Sequence, residues 1–287
     1  MKAEHLTLTT SDRTRLAVDV VQDDAADDTT PTLVLAHGWT LTHDSWLPVV
    51  EALEGEDLRI VMWDQRGHGQ STLGMRLWQL RAAGVSHLGR DLHEIIEQVV
   101  PGSSPVVLAG HSMGGMTLLS YAGQFADELR ARVRGALLLS TASHGLTVGH
   151  VPAERLLMTV FAHGLPFAPG RLVTAQAQRE LLFGDDPHDD HVRATQAQVS
   201  ATKLPTWGTF YGAMTRLDEK RSLAALRDVP TRIMVGAKDR LTPPVLSRQI
   251  AKGIPGAELT VLAGKGHMLT YEATDEVAAA LRELIVA

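Results

Sequence analysis

The sequence predicts an α/β protein with a mostly parallel, doubly wound sheet and one helical insertion. Apolar runs of strand length alternate with segments of helical periodicity over most of the 287 residues, which is the pattern of a parallel sheet covered by helices on both faces. Polar and glycine residues directly follow several of the apolar runs. Residues 146–222 break the alternation, because helix-like pieces separated by prolines replace the strands there.

The first half of the chain contains most of the predicted strands. Residues 5–10 and 14–21 predict two strands joined by a polar turn. Apolar runs predict four further strands, at residues 33–36, 58–63, 105–109 and 135–140. Three helices are predicted between them, at residues 44–53, 86–100 and 113–125. The strand that ends at residue 109 therefore leads into a helix through a short glycine-rich turn.

The second half returns to this alternation after the insertion. Two strands are predicted at residues 231–235 and 258–262, with a helix after Pro243 and Pro244 and a terminal helix over residues 272–285. The insertion contains three helix-like pieces, at residues 154–162, 171–183 and 190–203. We therefore expect an α/β core of residues 1–145 and 223–287 and a helical lid of residues 146–222.

The composition excludes several classes of function. The chain is 44% hydrophobic and 21% charged, as is usual for a globular protein, and its net charge of -6 offers no basic surface for a nucleic acid. It has no cysteine, which excludes disulfide scaffolds, thiolate metal sites and cysteine nucleophiles. No apolar stretch is long enough to span a membrane and no signal peptide is recognised. We expect a cytoplasmic protein that acts on a small molecule, and the oligomeric state stays open.

The main chemical signal is the pentapeptide Gly110-His111-Ser112-Met113-Gly114. A G-x-S-x-G string between a strand and a helix is typical of a tight turn that projects a serine hydroxyl above a sheet. The alternative is an inert serine in a glycine-rich turn. The predicted strand before it and the predicted helix after it favour the nucleophile.

A serine nucleophile needs a base, and the base needs an acid that orients it. Asp239 follows the predicted strand 231–235, and His267 follows the predicted strand 258–262. Both lie at carboxyl ends of strands, where open α/β sheets form their sites. Taken alone, Asp239 can equally well be interpreted as a turn-capping residue, and His267 can be interpreted as a solvated loop histidine. Their order along the chain, serine then acid then histidine, is what favours a triad.

A third group of residues follows the predicted strand 33–36. Gly38 allows the backbone to approach a ligand closely. The amides of Trp39 and Met113 are then candidates to bind one oxyanion. We interpret His37 as a hydrogen-bonded structural residue rather than a catalytic one.

Two other motifs have simpler interpretations. Residues 64–71 lack the Lys-Ser/Thr of a phosphate-binding loop, so we read Asp64 and Arg66 as residues that tie a loop beneath the site. Residues 188–191 (His-Asp-Asp-His) lack a recognised metal-binding spacing and predict an exposed turn. We expect no metal site.

Together these residues resemble the α/β-hydrolase family, and within it the serine esterases and lipases. The resemblance covers residues 6–144 and about 224 to the end, and it rests on five motifs: residues 37–39, 64–71, 110–115, 236–239 and 266–267. It implies the α/β-hydrolase fold with a lid. It also implies that Ser112 is the nucleophile, Asp239 the acid and His267 the base, with Trp39 and Met113 at the oxyanion hole.

The resemblance implies hydrolysis of a carboxylic ester of a small, partly apolar substrate through an acyl-enzyme, without a cofactor. Thioesterases, lactonases, perhydrolases, C–C bond hydrolases and proline iminopeptidases keep the same triad, and some relatives only bind ligands or catalyse biosynthetic steps. The serine at residue 112 argues against dehalogenases and epoxide hydrolases, which use an aspartate there. Phe161, Trp207 and Phe210 of the predicted lid are candidates to line the acyl pocket, or else form its packing face.

Overall fold

The computed structural model describes residues 2–74, 84–146 and 152–286. These residues form one eight-stranded sheet in the order β1-β2-β4-β3-β5-β6-β7-β8. Its strands are β1 Lys2–Thr9, β2 Arg15–Gln22, β3 Thr32–Ala36, β4 Arg59–Trp63, β5 Val106–His111, β6 Val133–Leu139, β7 Thr231–Gly236 and β8 Glu258–Leu262. Strand β2 pairs antiparallel with β1 and with β4, and the other pairs are parallel. The predicted mostly parallel α/β class is confirmed.

Helices connect the strands and cover both faces of the sheet. They are α1 Leu47–Ala52, α2 Val85–Val99, α3 Met113–Gln124, α4 Ala126–Arg132, α5 Pro152–His163, α6 Ala175–Leu182, α7 Asp189–Ala201, α8 Leu204–Met214, α9 Pro244–Gly253, α10 Leu269–Glu272 and α11 Thr274–Val286. Every predicted strand is present, with ends shifted by a few residues. The charged helix α4 was not predicted, since it carries only one buried apolar residue, Leu129.

The central strands are buried because their side chains alternate between two apolar layers. On β3, Val34 and Ala36 pack with α2 and α3 on one face, whereas Leu33 and Leu35 pack with α1 and α11 on the other. This explains why the sequence shows continuous apolar runs rather than alternation. Because strands β3 to β8 run parallel, the loops that follow them lie along a single edge of the sheet, where the candidate residues are found.

The described part of the inserted segment, residues 152–222, consists of helices joined by loops. A 3-10 helix, Gly170–Leu172, precedes α6, and no strand of the sheet comes from this range. Pro205, which follows the predicted helix-like piece 190–203, lies in the first turn of α8, where its missing N–H costs nothing. The predicted lid also includes residues 147–151, which lie outside the described residues.

Hydrogen bonds attach the inserted helices to the loops at the carboxyl edge of the sheet. Thr202 Oγ1 donates to the carbonyl of Thr40 at 2.9 Å, and Thr206 Oγ1 donates to the carbonyl of Gly67 at 2.8 Å. The insertion therefore covers the loops that follow β3 and β4. No helix among the described residues is long and apolar enough to cross a membrane.

Candidate active site

Ser112 occupies the single-residue turn between β5 and α3. Its φ of 53° and ψ of −116° are strained for a residue with a Cβ. The surrounding backbone holds this conformation, because the Ser112 amide donates to the carbonyl of Leu139 at 2.9 Å and its carbonyl accepts from Thr141 Oγ1 at 2.7 Å. The turn thereby presents the serine at the N-terminus of α3.

Gly114 explains why this turn needs glycine. A Cβ at Gly114 would lie 2.1 Å from the carbonyl oxygen of Ala36 at the end of β3. Real Cβ contacts are never that short, so any side chain would push α3 away from the loop after β3. The glycine therefore brings the Ser112 turn against the loop that contains Trp39.

Asp239 and His267 meet although they follow different strands. His267 Nδ1 lies 2.9 Å from Asp239 Oδ2, and both side chains are buried. The two loops are joined by backbone bonds, since the amides of Ala237 and Lys238 donate to the carbonyls of Leu262 and Lys265, each at 2.9 Å. The pairing of the parallel strands β7 and β8 therefore continues into the loops and aligns the acid with the histidine.

The two carboxylate oxygens of Asp239 have different partners. Oδ1 accepts from the amides of Leu241 at 2.9 Å and Thr242 at 2.8 Å, as a turn-capping aspartate does. Oδ2 accepts from His267 and from Thr242 Oγ1. The two sequence interpretations of Asp239 thus apply to the same side chain, one to each oxygen.

The environment of Asp239 favours its ionised form. Burial raises the pKa of this carboxyl, but the charge of protonated His267 and the hydrogen bonds from His267 and Thr242 outweigh it, so the pKa lies below its ordinary value. Because His267 Nδ1 faces Asp239, the ring's other nitrogen, Nε2, is available for proton transfer.

His111 supports the loop of His267 from within the serine motif. Its Nε2 donates to the carbonyl of His267 at 2.9 Å. Burial lowers the pKa of His111 to about 3, so the ring is neutral near pH 7. His111 therefore links the Ser112 turn directly to the backbone of His267.

The loop after β3 is held by His37. The Nδ1 of His37 donates to the carbonyl of Gly38 at 2.7 Å, and its Nε2 accepts from the amide of Gln65 at 2.8 Å. Burial lowers the pKa of His37 to about 4. Both ring nitrogens are thus used in structural bonds.

Among the described residues, the amides of Trp39 and Met113 have no hydrogen-bond acceptor, which leaves both available to a ligand.

A cavity of about 330 Å³ opens beside Ser112 and His267. Its polar residues include Thr40, Gln178 and Thr242, and Glu154 is the one carboxylate side chain among the described residues that line it. Most of the wall is apolar and comes from the inserted helices, from α3 and from loops: Leu41, Met116, Leu146, Met158, Leu181, Leu182, Val199, Trp207, Met214, Leu241 and Met268. The cavity therefore suits a small, largely apolar ligand.

The three aromatic residues predicted for the pocket occupy different places. Trp207 lines the cavity and packs edge-to-face against Trp39, with ring centroids 5.5 Å apart. Phe210 is only 1% exposed and packs on His68 instead, with ring centroids 5.3 Å apart. Phe161, on α5, is also outside the described lining. Helical spacing from a lining residue therefore does not by itself bring Phe210 or Phe161 to the cavity wall.

The other predicted residues outside the cavity have structural contacts. Asp64 accepts from the amide and Nδ1 of His43, at 3.0 and 2.9 Å, and Arg66 forms an ion pair with the buried Asp91. His188 caps helix α7, and within the described ranges no group of side chains has a geometry suited to a metal ion. Asp64 and Arg66 therefore fasten the loop after β4, as the sequence suggested.

Several residues of the site were not predicted from the sequence, among them Leu182, Thr242 and Gln178. Leu182 holds the amide of His267 through its carbonyl at 2.7 Å, Thr242 binds Asp239, and Gln178 lines the cavity. A hydroxyl three residues after an aspartate is a turn signal that pointed to Thr242. No local pattern marks Leu182 or Gln178, because their roles depend on how the insertion docks.

Comparison with known families identifies the family of the chain. The family described as serine aminopeptidase, S33, matches residues 27–274. The chain therefore belongs to this family of α/β hydrolases, and it is an enzyme of the hydrolase type.

Individual relatives cover nearly the whole chain at low identity. The chain is 26% identical over 260 residues to the AB hydrolase superfamily protein YisY of Bacillus subtilis, covering 85% of this chain and 88% of the relative. It is 24% identical over 264 residues to the pimeloyl-[acyl-carrier protein] methyl ester esterase of Stenotrophomonas maltophilia, covering 90% and 93%. The crystal structure of the enol-lactonase of Burkholderia xenovorans superimposes with a TM-score of 0.81 at 20% identity, covering 98% and 100%. At that identity the superposition establishes the fold.

Proposed function

We propose that the protein hydrolyses carboxylic esters of small, partly apolar molecules through a triad of Ser112, His267 and Asp239. The observation that carries the proposal is the strained serine turn beside a buried His267–Asp239 pair, with both Ser112 and His267 lining one cavity. A relative that is named as a methyl ester esterase is consistent with it.

In the proposed mechanism, Nε2 of His267 removes the proton of Ser112 Oγ as this oxygen attacks the ester carbonyl. The amides of Trp39 and Met113 stabilise the oxyanion, and the N-terminus of α3 adds a favourable dipole. Asp239 keeps the proton of the neutral ring on Nδ1 and stabilises the charged imidazolium. His267 then protonates the alcohol that leaves, and water hydrolyses the acyl-enzyme by the same steps. The reaction needs no cofactor.

The inserted helices are proposed to act as a lid over the α/β core. They supply most of the apolar wall, so they exclude water and select the acyl group without contributing to the triad.

A cytoplasmic location stays a prediction of the cysteine-free sequence, and cell fractionation tests it.

The deciding experiment combines labelling with turnover. A fluorophosphonate probe is expected to label the wild-type protein at Ser112, as located by peptide mass spectrometry. A panel of p-nitrophenyl esters, thioesters, lactones and peracid-forming reactions is expected to give the highest kcat/KM with esters. Absence of labelling together with absence of ester turnover in folded protein would overturn the proposal.

A further inference from the structure

Gln178 is a buried polar residue of the cavity whose side-chain amide has no partner among the described residues. It is 8% exposed and lines the catalytic cavity from helix α6. Among the described residues its side-chain amide makes no hydrogen bond. A buried amide without a partner is unfavourable, and in a ligand cavity the bound ligand is the natural source of one.

Its position on α6 places this amide near the reacting groups. Gln178 and Leu182 are four residues apart and both line the cavity, so they lie on one face of the helix, about 6 Å apart along its axis. The carbonyl of Leu182 accepts the amide proton of His267 at 2.7 Å. A ligand group that binds Gln178 therefore lies about one helical turn from His267. On the substrate, this group would be several bonds away from the carbonyl that is attacked.

The charge of the cavity limits which ligand group can bind there. Of the described residues that line it, none is Lys or Arg, and Glu154 adds a negative charge. A carboxylate on the ligand would enter this apolar space without a counter-ion, which is strongly unfavourable. An uncharged oxygen can accept a hydrogen bond from the Gln178 amide at no such cost.

We propose that Gln178 is a specificity-determining residue that binds an uncharged oxygen, such as a ketone, on the apolar part of the ester substrate. The inference rests on the proposed ester hydrolysis and names its substrate class: neutral esters with an apolar chain that carries one hydrogen-bond acceptor. Such a site discriminates because a ligand without the oxygen leaves the amide buried and unpaired.

The test compares p-nitrophenyl heptanoate with its 4-oxo, 5-oxo and 6-oxo derivatives, which differ only in the presence and place of a ketone. For the wild-type enzyme, kcat/KM is expected to be roughly 5- to 100-fold higher for the best oxo ester than for heptanoate. The anionic p-nitrophenyl hydrogen adipate is expected to be the poorest substrate. Gln178→Leu should raise kcat/KM for heptanoate and bring the ratio of oxo ester to heptanoate close to one.

Gln176→Leu is the matched control. Gln176 is exposed on the same helix and is not among the lining residues, so its replacement should keep the wild-type ratio. If Gln178→Leu also keeps that ratio, or if the wild-type enzyme hydrolyses heptanoate and prefers none of the oxo esters, the inference is wrong and the proposed function stands.

A binding measurement separates the inference from catalysis. Calorimetry with Ser112→Ala should show tighter binding of the best methyl oxoheptanoate than of methyl heptanoate, and Ser112→Ala combined with Gln178→Leu should lose this difference. Equal affinities in Ser112→Ala would overturn the role of Gln178, whereas failure of the wild-type protein to turn over any ester would overturn the proposed function.

Discussion

At the scale of single residues, Ser112 combines backbone strain with a place on the cavity wall. Its positive φ of 53° costs on the order of 1–3 kcal/mol, which the bonds to Leu139 and Thr141 and the close contact at Gly114 offset. The strain lifts the side chain out of the strand and places it at the amino end of α3.

Replacing Ser112 by Ala should remove the proposed nucleophile and leave the fold intact. We expect kcat to fall by on the order of a million-fold, because the members of a triad act as one unit. Steady-state ester hydrolysis measures the loss, and circular dichroism checks the fold. Activity within tenfold of the wild-type value would exclude Ser112 as the nucleophile.

Asp239→Asn separates the two functions of that carboxylate. The amide oxygen can still accept from Leu241 and Thr242, but the amide nitrogen then faces His267 Nδ1 as a donor and disfavours the productive tautomer. We expect kcat to fall by on the order of ten-thousand-fold while the melting temperature stays near the wild-type value. Near-normal turnover would mean that another acid orients His267.

At the scale of elements, the side of α8 that each aromatic residue faces decides its role. Trp207 lines the cavity, whereas Phe210 is buried against His68. Helical spacing predicted a common apolar face for both. The docked helix divides that face between ligand space and protein core.

Trp207→Ala should therefore change substrate selectivity, whereas Phe210→Ala should lower stability. Trp207→Ala should change the kcat/KM ratio between bulky and short acyl esters by roughly ten- to two-hundred-fold. Phe210→Ala should lower the free energy of unfolding by about 3–5 kcal/mol, because it leaves a cavity in the core, and should affect the ester ratio much less. Ester panels and urea unfolding measure the two quantities, and the reverse pattern would contradict this assignment.

Gly208 controls the approach of α8 to α5. A Cβ at Gly208 would lie 2.1 Å from the carbonyl oxygen of Met158 and 2.3 Å from the amide nitrogen of Ala162. We expect Gly208→Ala to displace α5, to lower stability by about 1–3 kcal/mol and to alter kcat/KM for bulky esters, since Met158 lines the cavity.

The neighbouring glycine of α8 is the control for this prediction. A Cβ at Gly212 would come no closer than 3.4 Å, to Nη1 of Arg216. Gly212→Ala should therefore be tolerated or slightly stabilising, as expected for alanine in a helix. If thermal melting gave the same loss for both variants, helix packing at Gly208 would not be the cause.

At the scale of the whole molecule, buried neutral histidines make stability depend on pH. Burial lowers the pKa of His37 to about 4 and the pKa values of His68 and His111 to about 3, from an ordinary value of 6.5. The unfolded chain therefore binds more protons between pH 6.5 and about 4 at His37, and between pH 6.5 and about 3 at His68 and His111. The stability from these residues is fully present above pH 6.5 and is lost as the pH falls through these windows.

We expect the free energy of unfolding to fall by up to about 1.4 kcal/mol per pH unit for each of these histidines below pH 6.5. Urea unfolding at pH 7, 6 and 5 measures the slope, and His68→Leu should make it less steep. Burial lowers the pKa of His43, but Asp64 and nearby carboxylates outweigh this and raise it, so its contribution is retained in this range. A slope that His68→Leu leaves unchanged would contradict the prediction.

Local patterns in the amino-acid sequence were enough for the α/β class, the strand–turn–helix around Ser112 and the order of serine, acid and histidine. Each depends on neighbouring residues: apolar runs that bury both faces of a strand, glycines that permit a tight turn, and polar residues directly after strands. These signals are local, so they do not depend on how distant parts of the chain pack.

The lining of the cavity depends on contacts between distant segments. Trp207, Phe161 and Phe210 look alike in sequence, and Gln178 carries no signal at all, because the side of a helix that faces a ligand is set by where the whole helix docks. Here Gly208 against α5 and the bond from His267 to Leu182 help to set that docking. Packing between segments far apart in the chain therefore selects the residues that meet the substrate.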